Sequence, residues 1–268
     1  MSRLTDVFRL EAGGVLIAYL MGGDPSPEIC EEAVGAAVRG GADIVELGIP
    51  FSDPIADGRT IQAAGTRALS GGTNPGTVLR IAKRAKKRFG VPIALMTYLN
   101  PVNAMGAAVF LERAKGSGVH GVIIPDLPVD EAGDFGAEAR RRGVDSILLA
   151  APSTTEKRMR MIAQSASGFV YLVSVLGVTG ARARLDRFVP RLIARSRRTL
   201  GPEIPLAVGF GISRPEHVRQ VLESGADGAI VGSALVEKVA ANLGNERAMI
   251  AEVERYVGKM KAAASSVR

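Results

Sequence analysis

Gly40-Gly41-Ala42-Asp43-Ile44-Val45-Glu46-Leu47 ends one amphipathic stretch and starts an apolar one with almost nothing between them. A glycine there lets a helix stop in the left-handed conformation, and a strand follows at once. The same junction recurs as Gly118-Val119-His120, Gly143-Val144-Asp145 and Gly225-Ala226-Asp227. A junction used four times implies a repeated βα unit.

Working outward, eight apolar runs alternate with longer amphipathic segments. The runs cover residues 15–20, 43–47, 92–96, 119–124, 145–150, 169–173, 205–208 and 227–231. Each is rich in Val, Ile, Leu and Ala and shows little polar alternation, as expected of parallel strands buried on both faces. Helical patterns include residues 27–39, 74–89, 107–115, 130–142, 155–165, 186–198 and 215–224, and a last helix runs from about residue 233 to the end. Eight units without a low-complexity linker predict an α/β fold, a single (β/α)8 barrel of eight parallel strands with an extra N-terminal helix, filling residues 1–268 as one domain. An open doubly wound sheet would be expected to show G-x-G-x-x-G after its first strand. The turn here is Met21-Gly22-Gly23-Asp24-Pro25.

The bulk composition suits such a barrel. The chain has 268 residues, 47% hydrophobic and 23% charged, with mean hydropathy +0.17. A lone cysteine, Cys30, rules out an internal disulfide and a cysteine metal cluster. The start carries no leader-like apolar stretch and no run approaches a membrane span, so the expected compartment is the cytoplasm. The net charge of +7 lies in helical stretches such as residues 83–88, 140–142 and 195–198, not among base-stacking aromatics, which total 4%. These read as solvated helix faces; neither nucleic acid nor membrane is expected as a partner.

Barrel chemistry is built where strands end and helices begin. After the second strand comes Glu46-Leu47-Gly48-Ile49-Pro50-Phe51-Ser52-Asp53-Pro54-Ile55-Ala56-Asp57-Gly58. Glu46 shares a strand face with Ile44. If that face is the barrel interior, desolvation lifts its carboxyl toward neutral pH, the range useful for proton transfer. The alternative is a buried glutamate held in an ion pair. Asp57 is either a second functional carboxylate or the N-cap of a helix from about Thr60. The late glycine turns Gly177-Val178-Thr179-Gly180, Gly209-Phe210-Gly211-Ile212-Ser213 and Gly232-Ser233 follow strands six to eight, where backbone N–H groups can hold a phosphate. His120 and His217 lack metal-ligand company, no Gly-x-Ser-x-Gly elbow occurs, and no strand-end lysine suits a Schiff base.

The thirteen residues from Glu46 to Gly58 closely resemble the signature of the tryptophan synthase α chain family. The likeness extends through Tyr19-Leu20-Met21-Gly22-Gly23-Asp24-Pro25, Tyr98-Leu99-Asn100-Pro101-Val102, Pro125-Asp126-Leu127-Pro128 and Ser174-Val175-Leu176-Gly177-Val178-Thr179-Gly180, and through the last two glycine turns. It implies a lyase that cleaves indole-3-glycerol phosphate to indole and glyceraldehyde 3-phosphate, using no metal, nucleotide or pyridoxal cofactor of its own. Glu46 would be the general acid–base and Asp57 would balance charge on the indole N–H. Tyr19, Ile61, Tyr98, Leu99, Asp126, Leu127 and Tyr171 would line or support the indole pocket, and Thr179 would sit in a lid. Gly180, Gly209, Phe210, Gly211, Gly232 and Ser233 would hold the phosphate. The resemblance also implies a β chain partner in an α2β2 assembly, faced by the loop carrying Pro50, Phe51 and Asp53. Arg59 departs from the family's usual proline, and Ala181-Arg182-Ala183-Arg184 is unusually rich in arginine.

Rival phosphate barrels fit less well: an indole-glycerol phosphate synthase would need a strand-end lysine, and an epimerase would need paired acids or histidines on several strands. A non-catalytic regulatory barrel would have lost Glu46 or Asp57, and both are present.

Overall fold

The computed structural model describes residues 3–173, 188–209 and 211–267. The elements follow in the order α1 (Arg3–Leu10), β1 (Val15–Met21), α2 (Pro27–Arg39), β2 (Ile44–Gly48), α3 (Arg59–Ser70), α4 (Pro75–Phe89), β3 (Ile93–Met96), α5 (Leu99–Met105), α6 (Ala107–Gly116) and β4 (Gly121–Ile123). Then come α7 (Gly133–Arg142), β5 (Asp145–Ala150), α8 (Glu156–Ser165), β6 (Val170–Val173), α9 (Val189–Leu200), β7 (Leu206–Gly209), α10 (Pro215–Glu223), β8 (Gly228–Val231), α11 (Ser233–Ala240) and α12 (Glu246–Ser265).

All eight strands are parallel, and β1 pairs with both β2 and β8, which closes the barrel. The extra N-terminal helix is α1. The four recurring junctions behave as read: Gly41, Gly118, Gly143 and Gly225 have φ of +94°, +77°, +65° and +99°. The polar residue that follows does a second job. Asp43 Oδ2 accepts from Leu16 N at 2.7 Å, His120 Nδ1 from Ile93 N at 3.2 Å and Asp227 Oδ2 from Leu206 N at 2.7 Å. Each satisfies a donor at the start of the neighbouring strand, where the ladder has run out.

The alternation of side chains divides the core in two. Outward-facing Leu16, Val45, Leu47, Ile93 and Leu95 pack against the helices, Cys30 of α2 among them. Inward-facing Val15, Ile17, Tyr19, Ile44, Ala94, Ile123, Ile147 and Tyr171 fill the barrel. Helix α1 stoppers the end where the strands begin. Leu4 is fully buried within that inner cluster, and the Phe8 ring lies 5.5 Å from Phe169. Gly121 makes room for this: a Cβ there would lie 2.6 Å from Leu4 Cδ1 and 2.8 Å from Ile147 Cδ1. At the opposite end, Ile61, Ala64 and Ala68 of α3 and Val236 of α11 join the same inner cluster, so both helices help cover the mouth.

The sequence reading needs three amendments. The expected last helix is two, α11 and α12, separated at Gly244 (φ +82°), with Asn245 capping α12 through its bond from Ala248 N. Residues 99–105 form α5, which was not anticipated. The helix expected over 130–142 begins only at Gly133. The long α12 returns to the beginning of the chain. Lys261 Nζ lies 2.8 Å from Asp43 and 2.9 Å from Glu11, and Gly14 N donates to Ala264 O at 3.2 Å.

Leu4→Ala removes three carbons from a site with no solvent exposure. It is expected to lower the unfolding free energy by roughly 2–5 kcal/mol in urea titrations. A loss under about 1 kcal/mol would show that α1 is not the stopper described.

Candidate active site

The register sets Glu46 beside Tyr19 on β1 and Ala94 on β3. Its strand neighbours Val45 and Leu47 point out to the helices, and Ile44 points in. Glu46 therefore faces the barrel interior near its C-terminal mouth. It is completely buried, and among the described residues neither of its carboxylate oxygens has a hydrogen-bond partner. The ion-pair reading of this residue thus fails among the described residues. Burial, reinforced by the nearby Asp57 charge, pushes the Glu46 carboxyl up to about 8.

Asp57 ends the loop after β2. It is not a helix cap: α3 begins at Arg59 and its N-cap is Gly58, with no side-chain cap hydrogen bond there. The carboxylate is instead nearly buried at the mouth. Burial raises it to about 6, and a hydrogen bond from Tyr98 offsets part of that rise. The loop backbone is held from within and without. Asp57 N donates to Pro54 O at 3.2 Å, Ala56 N donates to the Tyr98 hydroxyl at 3.1 Å, and Gln62 Nε2 donates to Asp57 O at 2.9 Å.

Two tyrosines complete the wall around the acids. Tyr19 and Tyr171 are buried on the inner face, and both hydroxyls are held well above their ordinary pKa by burial and by Glu46 and Asp57. Each ring is seated by a glycine. A Cβ at Gly48 would fall 2.3 Å from the Tyr19 hydroxyl oxygen, and one at Gly209 would fall 2.5 Å from Tyr171 Cε1. Gly209 therefore has a packing duty whatever else it does.

Of the other expected residues, Ile61 is buried in the inner cluster. Tyr98 stands at the N-cap of α5, its ring 5.4 Å from Phe51. Leu99 and Leu127 are half-buried and pack toward the outer core. Asp126 does structural work, since Oδ1 accepts from Leu99 N at 2.9 Å and so fixes the start of α5. Gly211 has φ +83°, while Gly232 is the N-cap and Ser233 the first residue of α11, an end that no side chain caps. Thr179, Gly180 and Phe210 lie outside the described residues. Gln62 and Gly48 were missed, because a glutamine on an exposed helix face and a glycine in a strand carry no distinguishing signal. No group of three or more potential metal ligands occurs among the described residues, and no described helix is long and apolar enough to cross a membrane.

Two carboxyls lifted by desolvation, side by side at the C-terminal mouth of a parallel barrel, mark the chain as a (β/α)8-barrel enzyme. Comparison with known proteins narrows that class. The family profile described as "Tryptophan synthase alpha chain" matches residues 8–265. A tryptophan synthase alpha chain from Methanoregula boonei is 43% identical over 98% of this chain and 99% of its own length. One from Methanosarcina mazei is 49% identical over 86% and 83%. Among solved structures, tryptophan synthase subunit alpha from Legionella pneumophila superposes with a TM-score of 0.88 at 34% identity, covering all of both chains. A chain from the tryptophan synthase α2β2 complex of Pyrococcus furiosus gives 0.86 at 40% identity, covering 93% and 98%. The chain belongs to the tryptophan synthase alpha chain family and is an enzyme subunit.

The raised Glu46 carboxyl has a thermodynamic signature. Its folded value of about 8 exceeds its ordinary 4.5, so the fold holds this proton more tightly than the unfolded chain does. That contribution is complete below pH 4.5 and is lost as pH rises to about 8. Glu46→Gln keeps the shape and carries no proton. The variant is therefore expected to gain stability relative to the parent by roughly 3–5 kcal/mol between pH 4.5 and pH 9. Urea unfolding across that range checks it; a difference that does not change with pH would place the carboxyl in contact with water.

Proposed function

We propose that this chain is a carbon–carbon lyase that cleaves indole-3-glycerol phosphate into indole and glyceraldehyde 3-phosphate and hands the indole to a tryptophan synthase β chain for tryptophan synthesis. The observation that carries the proposal is Glu46, a fully buried carboxyl with both oxygens unpartnered among the described residues and a second acid beside it.

The reaction needs one proton delivered and one removed. Glu46, lifted to about 8, is protonated at neutral pH and can donate to indole C3. The ring nitrogen then carries positive charge, and Asp57, at about 6, is mostly ionised and balances it. The Glu46 carboxylate takes the proton of the adjacent glycerol hydroxyl as the C–C bond breaks. That electron pair flows into the ring and neutralises the nitrogen, and the hydroxyl carbon leaves as the aldehyde. The acid is restored, and indole keeps the new C3 hydrogen. Two acids with environments that set their pKa values apart suit these two roles.

Tyr19, Ile61, Tyr98, Leu99, Leu127 and Tyr171 would line the indole pocket with Asp126 in support, and Thr179 would close over it. The phosphate would lie against Gly180, Gly209, Phe210, Gly211, Gly232 and Ser233. The uncapped start of α11 supports this, because its first N–H groups and the helix dipole favour an anion. The β chain would form an α2β2 assembly with this chain, meeting the loop of Pro50, Phe51 and Asp53. That loop also exposes Ile55, 75% open to solvent. The enzyme would work in the cytoplasm.

Indole release from indole-3-glycerol phosphate, measured with and without a cognate β chain, tests the reading directly. Indole is expected slowly from the chain alone and faster with the partner. A folded chain that yields none under either condition would overturn it. Glu46→Gln is expected to lower kcat by about 10²–10⁴-fold and Asp57→Asn by about 10²–10³-fold, both without loss of the folded barrel.

The pH profile of kcat/KM should be a bell. Asp57 must be ionised, so activity rises as pH passes about 6; Glu46 must be protonated, so it falls as pH passes about 8. Because the two acids interact, both limbs belong to the pair. A flat profile from pH 5 to pH 9 would contradict these roles.

A further inference from the structure

Asp57 can balance charge only if its carboxylate stays where the charge develops, yet it sits at the end of a ten-residue loop with no regular structure, residues 49–58. Two side chains from other elements grip that loop on either side of the Ala56–Asp57 peptide unit. Tyr98, at the start of α5, accepts the Ala56 N–H through its hydroxyl at 3.1 Å. Gln62, in the second turn of α3, reaches back to give its Nε2–H to the Asp57 carbonyl at 2.9 Å. The same glutamine's backbone N–H goes to Gly58 O at 2.9 Å, so its main chain is already anchored when the side chain makes the second bond.

The helix that carries Gln62 is itself fixed at its far end. Arg67 makes a two-point ion pair to buried Asp24 in the turn after β1, Nε to Oδ1 at 2.8 Å and Nη2 to Oδ2 at 2.7 Å. Ile61, Ala64 and Ala68 pack that helix onto the inner core. The Gln62 amide is thus a fixed post and the Asp57 carbonyl is what it holds.

We infer that Gln62 is a positioning residue for the lyase reaction: by holding the Asp57 carbonyl it sets the direction of the Asp57 carboxylate into the pocket, with Tyr98 steadying the Ile55–Ala56 peptide. The inference rests on the charge-balancing role of Asp57 given above. Its magnitude follows from geometry. Displacing a reacting group by about 1 Å can cost as much as 10²-fold in rate, and one of several tethers should be worth less, on the order of 10-fold. Gln62 itself is solvent-exposed on its helix, so replacing it disturbs no core packing. Glutamine, methionine and glutamate also have similar helix propensities.

Two substitutions share only the loss of the amide donor: Gln62→Met, which is uncharged, and Gln62→Glu, which is nearly isosteric. In the full-length chain assayed with a β chain, both are expected to lower kcat of indole release by about 10-fold. KM should stay within about 2-fold, because charge on the ring nitrogen is absent from the bound substrate and appears only once C3 is protonated, and thermal midpoints should move by no more than about 2 °C. In an Asp57→Asn background the same substitutions should change kcat by less than about 2-fold, since the group being aimed is gone. Wild-type kcat in both Gln62 variants, or a rise in KM without a fall in kcat, would overturn the inference while Asp57→Asn remained impaired. An equal 10-fold loss in the Asp57→Asn background would overturn it too, by showing that Gln62 acts elsewhere. Full activity in Asp57→Asn alone would remove the reading beneath it, an outcome distinct from the others.

Discussion

The seam between β1 and β8 is the interaction on which the other features depend. Val15 to Ala18 pair in parallel with Gly228 to Val231, joining residues more than two hundred apart and leaving no strand edge open. Only a closed sheet has an inside. Once it is closed, one face of every strand meets the helices and the other meets its counterparts across the barrel. Helix α1 fills one end, and α3 and α11 cover part of the other. The result is a dry cavity wall, and a carboxyl on that wall is in a different solvent from one on the surface.

Glu46 shows what that solvent does. An ionised carboxylate without partners in a protein interior is expensive, and the group responds by keeping its proton to higher pH. The fold thus holds a proton at the mouth of the barrel that an exposed glutamate would have lost by neutral pH. Asp57, nearer the rim and bonded to Tyr98, is lifted less. The difference between the two acids comes from depth, from one hydroxyl and from the Asp57 charge felt by Glu46. Small residues opposite large ones make the arrangement possible, since Tyr19 and Tyr171 lie over Gly48 and Gly209, where any Cβ would collide.

The fold was legible because its signals are local and repeated. Eight apolar runs and four glycine junctions required no knowledge of distant contacts, and Glu46 stood out as an acid inside an apolar run, not at its start. What was not legible depends on who meets whom. The helix expected from Ser233 onward was continuous by pattern, and a single Gly244 in the left-handed region divides it. Asp57 fitted an N-cap by position, but Gly58 took that place. The bond by which Asp126 holds the Leu99 N–H had no signal in the sequence. Gln62 was unremarkable until its reach to the Asp57 carbonyl was visible. The sequence also could not say that the polar residue at three junctions, Asp43, His120 and Asp227, closes the start of the adjacent strand's ladder.

The return of α12 to the first strands has a consequence for how the protein is made. Lys261 grips Asp43 and Glu11, and Ala264 O takes the N–H of Gly14. These contacts bind α12 to the turns that precede β1 and β2. During translation the first seven strands can assemble in order against their helices, but the seam and its latch must wait for β8 and α12 to emerge. Until then the inner face is open to water, and Glu46 is an ordinary glutamate. The chain carries both acids long before it has the dry interior that lifts them, so the Glu46 carboxyl keeps its proton to neutral pH only once that seam has closed.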